Sequence, residues 1–169
     1  MKIQGRGYIK NGNVETHFKN HFVSFGLQTL AYIFGGADYY TAYNYNYNAI
    51  VAYADTLYFS TINVGTNQST PTTFITSSLV VPVSNLINPT QTLPITPYNG
   101  SQAILTITDE YPISALPQLT IGEIGLYGGL GGANGLISRA SVADGDFSAF
   151  AYNPANTLII QWNLIFTFV

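Results

Sequence analysis

The chain has 169 residues, of which 47% are hydrophobic, 14% are aromatic and only 8% are charged, and its formal net charge is −3. Globular proteins carry roughly 25% charged residues, so this surface must consist of uncharged polar side chains and Tyr, or be covered by other chains. The net charge argues against bulk attraction to nucleic acid or anionic lipid, and the absence of cysteine excludes disulfides, Cys-bound zinc and thiol nucleophiles.

The beginning of the chain carries no secretory signal, because no long apolar run follows Met1-Lys2. No stretch approaches the roughly 18 consecutive apolar residues of a membrane span. We therefore expect a single domain made in a cytoplasm, without a signal peptide and without membrane insertion. Four of the five basic residues lie singly in the first nineteen positions, which indicates a solvated or partner-contacting arm and no nucleic-acid partner.

Residues 1–19 are predicted to form an N-terminal arm or hairpin, because Asn11-Gly12 is a strong hairpin signal. Residues 20–169 are predicted to form the domain itself. One short helix is predicted at about 22–34 from apolar residues at helical spacing, namely Val23, Leu27, Leu30, Ala31 and Phe34.

The segment 38–48 alternates Tyr and Asn, which is typical of an exposed strand or of a loop whose rings lie on a neighbouring chain. We interpret it as an interaction surface formed by Tyr39, Tyr40, Tyr43, Tyr45 and Tyr47.

Residues 49–64 are predicted to contain a strand, with Phe59 and Thr61 on one face and Ile62 on the other. The stretch 65–102 contains five prolines, so it must be loop and edge strand. Four further strands are predicted, at 103–108, 119–127, 136–142 and 158–169. Short strands separated by turn signals favour an all-β fold, specifically an antiparallel, jelly-roll-like β-sandwich with one short N-terminal helix.

Few residues could carry chemistry. His17 and His21 have the spacing of a zinc-binding helix, but the general base and a nearby third ligand are missing, although Glu15 or Asp38 is conceivable. We interpret the two histidines as polar residues at a helix entry.

The acidic pairs are also interpreted structurally. Asp109-Glu110 ends a strand, and Asp144 and Asp146 lie in a Gly-containing turn that could bind Ca²⁺ weakly but is more often only a turn. The glycine-rich stretch 128–135 lacks the residues of a phosphate loop and is predicted to be a hairpin tip. We therefore expect no catalytic site, no metal site and no cofactor.

Glu123 and Arg139 differ from the other charged residues because each lies inside an apolar strand. If Tyr127 and Gly135 flank the hairpin loop, Glu123 faces Arg139 directly. A buried ion pair at this place would fix the strand register and would be costly to break from one side, so we predict a structural role. Exchanging the two charges is then expected to restore folding that either single substitution loses.

Two Asn-X-Ser triplets, at Asn67 and Asn99, are compatible with glycosylation, but such triplets arise by chance in a chain this rich in Asn and Ser.

Four stretches, in order along the chain, are similar to the motifs "GLxxLA", "vGtG", the hairpin "EiGLf…LiaRa" and a closing strand around a Trp. They occupy residues 20–31 (NHFVSFGLQTLA), 62–72 (INVGTNQSTPT), 121–127 with 136–140 (IGEIGLY and LISRA) and 160–166 (IQWNLIF). Together they resemble a group of small β-rich virion structural proteins of tailed phages. The Tyr/Asn run at 39–48 and the Pro/Thr-rich stretch at 82–101 depart from that pattern.

The resemblance implies a component of a tail, baseplate, fibre or capsid-associated assembly, and the low charge also suits a virus of an archaeal host. We therefore expect a non-enzymatic subunit, located in the virion after synthesis in the host cytoplasm. It would form a homo-oligomer and dock onto other virion proteins. The alternative is a host-receptor module whose Tyr/Asn segment binds a surface glycan or a pilus, because sugar binding uses aromatic residues beside Asn and Gln.

Overall fold

The computed structural model describes residues 2–27, 57–83, 90–92, 95–96, 102–130 and 134–167. These residues are mostly β-strand in antiparallel sheets, which confirms the predicted all-β fold. In chain order the strands are β1 (Lys2–Asn11), β2 (Val14–Lys19), β3 (His21–Phe22), β4 (Leu57–Gly65), β5 (Thr90–Thr92), β6 (Ile95–Thr96), β7 (Gln102–Tyr111), β8 (Leu119–Ile121), β9 (Glu123–Leu130), β10 (Gly135–Ser141), β11 (Phe150–Tyr152) and β12 (Leu158–Thr167).

The largest sheet has the order β2-β1-β12-β7-β5, and β6 also pairs with β7. In β12 every second residue from Leu158 to Leu164 is buried, as the alternating sequence predicts. Trp162 of this strand is 0% exposed, and its ring centre lies 5.0 Å from that of Phe18. Among the described residues, the short strands β5 and β6 pair with β7 at the sheet edge, as predicted for the Pro-rich stretch, of which residues 84–89, 93–94 and 97–101 lie outside the described residues.

Residues 2–19 form a hairpin, one of the two alternatives predicted for the start of the chain. Asn11 pairs with Val14, and Gly12 has φ 60°, the left-handed conformation that a tight hairpin turn requires. Strand β1 also pairs with β12 along its whole length, and Ile9 and Phe18 belong to the main hydrophobic core. The hairpin is therefore part of the domain and not a unit beside it.

A second sheet has the order β3-β10-β9-β4, and a small third sheet pairs β11 with β8. The sequence 119–127, predicted as one strand, is divided between these sheets at Gly122. The Gly122 N–H donates to Gly65 O at 2.9 Å, and its carbonyl accepts from the Val142 N–H at 3.0 Å. A side chain at this position would collide with the carbonyl of Asn67, so the crossing needs glycine.

Strand β4 contains a β-bulge between Phe59 and Thr61. The extra residue reverses the alternation of side chains, so Phe59 joins Ile62 and Val64 in the core. The prediction that Phe59 and Ile62 lie on opposite faces is therefore wrong.

The outer edge of β4 is closed by side chains of β7. Asp109 Oδ2 accepts a hydrogen bond from the Ile62 N–H at 2.5 Å, and the Tyr111 hydroxyl donates to Ile62 O at 2.5 Å. At Ile62, therefore, the outward backbone groups of this edge strand are satisfied within the chain and are not free to pair with another strand.

Residues 24–27 form one helical turn, in which the Leu27 N–H donates to Val23 O at 3.0 Å. The predicted helix therefore starts after β3, slightly later than expected, and its remainder lies outside the described residues. No helix in the described ranges is long and apolar enough to cross a membrane.

One hydrophobic cluster contains buried side chains from both larger sheets. The larger sheet contributes residues such as Ile9, Ile107 and Trp162, and the second sheet contributes residues such as Ile62, Ile124 and Leu126.

Candidate functional site

Residues 66–82, which we call the apolar loop, follow β4 and return to their starting point. The Thr66 N–H donates to Val81 O at 3.0 Å, and the Val83 N–H donates to Val64 O at 3.0 Å. A surface loop of about this length whose ends meet is an Ω-loop, a type that is compact and often functional.

The tip of the apolar loop is a turn with two large hydrophobic residues at its centre. The Thr76 N–H donates to Thr73 O at 3.0 Å, and the Thr73 N–H donates to Thr76 Oγ1 at 2.8 Å. Phe74 and Ile75, between them, are 63% and 78% exposed. Turn centres usually carry Gly, Pro, Asn or Asp, so turn geometry does not explain this pair.

The exposed large hydrophobic side chains of the described residues are concentrated in this loop. Four of the seven belong to it: Phe74, Ile75, Val80 and Val81. A concentration of exposed large hydrophobic residues in one loop is a feature of interaction sites in soluble proteins.

The base of the apolar loop is held by the carboxylate of Glu123, which is 0% exposed. Oε1 accepts a hydrogen bond from the Val81 N–H at 2.7 Å, and Oε2 accepts one from the Val80 N–H at 3.0 Å. Hydrogen bonds to an ionised acceptor are stronger than neutral ones, so two successive residues of the loop are fixed by their backbone.

Arg139, also 0% exposed, completes this arrangement. Its Nη2 and Nε atoms donate to Glu123 Oε2 at 2.8 and 3.0 Å, which is the predicted ion pair. Nη2 also donates to Thr70 O and Nη1 to Thr72 Oγ1, both at 3.0 Å. The guanidinium therefore links the sheet to the other end of the apolar loop.

The register predicted for this pair is wrong. Glu123 lies opposite Ser141, and Arg139 lies opposite Gly125, so the two side chains meet diagonally. The pairing differs from the expectation because the hairpin closes one residue away from the predicted position and a β-bulge early in β10 adds another residue.

Two further groups anchor the loop. Asp144 Oδ1 accepts from the Thr72 N–H at 3.0 Å and Oδ2 accepts from Thr72 Oγ1 at 2.6 Å, while the Tyr127 hydroxyl accepts from the Leu79 N–H at 3.1 Å. Partial burial acts to raise the pKa of Asp144, but hydrogen bonds from Ser141 and Thr72 outweigh it and lower that pKa below its ordinary value.

Asn67 of the first Asn-X-Ser triplet is only 9% exposed, and its side chain is engaged within the protein. With its amide oxygen toward Arg139, it accepts from Nη2 at 3.2 Å and from the Thr70 N–H at 3.1 Å. Asn99 lies outside the described residues.

The two histidines lie in two strands, so the interpretation of both as residues at a helix entry is wrong for His17, whereas His21 lies three residues before the helical turn at 24–27. His17 lies in β2, and its Nε2 is 3.3 Å from Glu15 Oε1. His21 lies in β3, and its Nε2 is 3.2 Å from Asp146 Oδ1.

Asp109 and Glu110 do not form a carboxylate pair. They are successive residues of β7 and point to opposite faces, so that Asp109 is buried and Glu110 is exposed. The proposed interaction residues of the Tyr/Asn segment lie outside the described residues: Tyr39, Tyr40, Tyr43, Tyr45 and Tyr47.

The apolar loop itself was not predicted as a site. A signal was present, because Phe74 and Ile75 interrupt a run of Thr and Ser, where no core strand or helix could use them. The sequence singled out Glu123 and Arg139 as charges inside apolar strands, but it gave no sign that they hold this loop, because they act largely on its backbone groups.

No family model, curated protein or solved structure matches this chain. Its function therefore has to be inferred from its own residues.

Proposed function

We propose that the chain is a non-enzymatic structural subunit of a virus particle, in a tail, baseplate, fibre or capsid-associated assembly. It works by forming a homo-oligomer and by docking onto other virion proteins. The observation that carries the docking proposal is the apolar loop, which holds Phe74 and Ile75 in solvent through a buried ion pair. The virion setting is supported by the resemblance of four stretches to tailed-phage proteins.

The energetics of the loop favour association. Covering an exposed Phe or Ile side chain contributes about 1.5–3 kcal/mol when burial is complete. A loop that is already fixed loses little conformational entropy on binding, so more of that free energy appears as affinity. Anchoring by Glu123 and Arg139 therefore makes the exposed pair a better contact than the same residues would be in a mobile loop.

The proposal includes a sandwich arrangement for the two larger sheets, of the jelly-roll-like type. It is supported by the single hydrophobic cluster to which both sheets contribute. With 8% charged residues, the outer surfaces would meet other chains mainly through uncharged contacts, which salt screens little.

The docking proposal is tested by light scattering on the purified chain, with a Phe74→Ser/Ile75→Ser variant. We expect the wild type to oligomerise, also in 1 M salt (about a 3 Å Debye length), and the variant to be monomeric with an unchanged unfolding midpoint. Ile113→Ser is the matched control, because Ile113 is 59% exposed but lies outside the apolar loop. A monomeric wild type, or an oligomer that the double substitution leaves intact, would contradict the proposal.

The virion setting is tested by a mass-spectrometric inventory of purified particles, in which the chain should occur at fixed stoichiometry. Its absence from particles would exclude a structural subunit. If the free chain instead blocked infection or bound a glycan array, the host-receptor alternative would replace the structural role.

A further inference from the structure

A histidine and two carboxylates meet beside the apolar loop. His21 Nε2 lies 3.2 Å from Asp146 Oδ1, and one ligand atom from each of His21, Asp144 and Asp146 lies within 4.8 Å of the others. We propose that these three residues bind one divalent transition-metal ion, such as Zn²⁺. Neither the proposed function nor the sequence motifs predict a metal site at this place.

The histidine is positioned by its backbone. Strand β3 places His21 opposite Arg139 of β10, and Ser138 Oγ donates to His21 O at 2.8 Å. The imidazole itself is 54% exposed, so Nε2 can be reached from solvent while the chain that carries it is fixed.

The carboxylates are positioned by a tight turn after β10. Gly145, at φ 73°, lets the chain reverse between Asp144 and Asp146, and the Ser141 N–H donates to Asp146 Oδ2 at 3.0 Å. That bond directs Oδ1 of Asp146 toward His21. Within the described residues, Asp144 Oδ1 accepts one hydrogen bond, from the Thr72 N–H, so each carboxylate offers an oxygen with a lone pair to spare.

The charges at this place also favour a cation. Asp146 is only 5% exposed and lies beside a second carboxylate, which is costly without a positive partner. Arg139, the buried cation of the same strand pair, is committed to Glu123. Within the described residues, His21 is the group that makes an ion-pair contact with these carboxylates.

The donor set selects the type of ion. One imidazole nitrogen with carboxylate oxygens suits Zn²⁺, Mn²⁺ or Co²⁺, whereas Ca²⁺ takes about six to eight oxygen ligands. Three protein ligands leave coordination positions for water or for a group from another chain. The ion would join β3 to the turn, and through Asp144 it would also support the Thr72 end of the apolar loop.

The test uses the full-length untagged chain, treated with a chelator and dialysed, and titrated with Zn²⁺ by calorimetry. We expect one ion per chain and a rise in Tm at saturating Zn²⁺. His21→Ala and Asp146→Asn should each weaken binding by about 10-fold or more, since even outer-shell changes at metal sites cost that much. His17→Ala is the matched control, because His17 is an exposed histidine on β2 that contacts Glu15 instead.

Circular dichroism of the metal-free variants shows whether they remain folded. If His21→Ala is unfolded, the Co²⁺ absorption spectrum of the wild type still reports whether a nitrogen ligand is bound. Absence of Zn²⁺ binding by the wild type would overturn the proposal. So would equal weakening by His17→Ala, or binding of Ca²⁺ that His21→Ala leaves unchanged. None of these results depends on whether the chain is a virion subunit.

Discussion

Glu123 Oε1 lies 2.7 Å from the backbone nitrogen of Val81, so a completely buried carboxylate holds an exposed loop by its main chain. The same carboxylate accepts two hydrogen bonds from Arg139, whose guanidinium donates to Thr70 O at the other end of the loop. The ion pair and the apolar loop are therefore one structural unit. Any change to the pair should be detectable at the loop.

The first prediction concerns the loss of one member of the pair. Arg139→Met leaves the Glu123 carboxylate buried without its cation, which should lower the free energy of unfolding by about 3–5 kcal/mol. The double variant Glu123→Gln/Arg139→Met removes both charges and should lose less than the sum of the two single variants. Urea unfolding of the four proteins in a double-mutant cycle measures the difference, and simple additivity would show that the two side chains are not coupled.

The second prediction reverses an expectation drawn from the sequence. Exchanging the charges, Glu123→Arg/Arg139→Glu, should not restore stability, because an arginine at 123 cannot accept the N–H groups of Val80 and Val81. A glutamate at 139 likewise cannot donate to Thr70 O. In urea unfolding, the charge-exchanged protein should be no more stable than the less stable of the two single variants, Glu123→Arg and Arg139→Glu. Recovery to within about 1 kcal/mol of the wild type would show that only the charges matter.

The third prediction separates loop order from global stability. Thr72→Val removes the hydroxyl that Asp144 and Arg139 share, so it should cost about 1–3 kcal/mol and speed amide exchange in the loop. Hydrogen–deuterium exchange should show the change at residues 73–82 before it appears in the sheets. Thr120→Val, at an exposed position of β8, is the matched control. Equal exchange in the two variants would mean that Thr72 does not anchor the loop.

Much of the fold could be predicted because local patterns and the core agree. The alternation of β12 buries every second residue from Leu158 to Leu164, and Gly12 makes the expected turn. The register of β4 and β10 could not be predicted, because a bulge adds one residue without any change in hydrophobic pattern. The bulge in β4 moved Phe59 into the core, and the bulge in β10, together with a hairpin closure shifted by one residue, placed Arg139 diagonal to Glu123.

The candidate site was predicted only where side chains pair with side chains. Two opposite charges inside apolar strands indicated that Glu123 and Arg139 meet, and they do. The anchoring of the apolar loop depends on the backbone N–H groups of Val80 and Val81, which every residue type carries. A sequence gives no sign of which backbone group a distant carboxylate will find.

The fourth prediction compares two glycines. Gly122→Ala brings a methyl group against the backbone of Asn67, which cannot move aside as a side chain could, so it should cost about 3 kcal/mol or more. Gly145→Ala has open space around the new methyl group. It should lower the free energy of unfolding by only about 1–2 kcal/mol, the cost of holding a residue with a side chain in the left-handed backbone conformation. Thermal unfolding ranks the two, and a larger loss at Gly145 would contradict the close approach at Gly122.

The fifth prediction concerns the buried carboxyl of Asp109. Desolvation by burial raises the pKa of Asp109, although hydrogen bonds from the Ile62 N–H, Gln91 and Thr61 partly oppose the effect. A carboxyl whose pKa is higher in the folded than in the unfolded state binds its proton more tightly when folded. It therefore costs no stability below the unfolded pKa of about 3.9, and it destabilises the protein increasingly as the pH rises through the folded pKa.

Asp109→Asn should remove this cost while its amide oxygen still accepts from the Ile62 N–H. The free energy of unfolding of the wild type, relative to that of Asp109→Asn, should therefore fall as the pH is raised from about 4. The total fall is about 1.4 kcal/mol for each pH unit by which the folded-state pKa of Asp109 exceeds its unfolded-state pKa. Urea unfolding at several pH values measures this difference, in which the contributions of Asp144 and Asp146 cancel. Glu110→Gln controls for the change in net charge, since Glu110 is exposed on the same strand. A difference that stays constant or grows with pH would mean that the folded protein does not favour protonated Asp109.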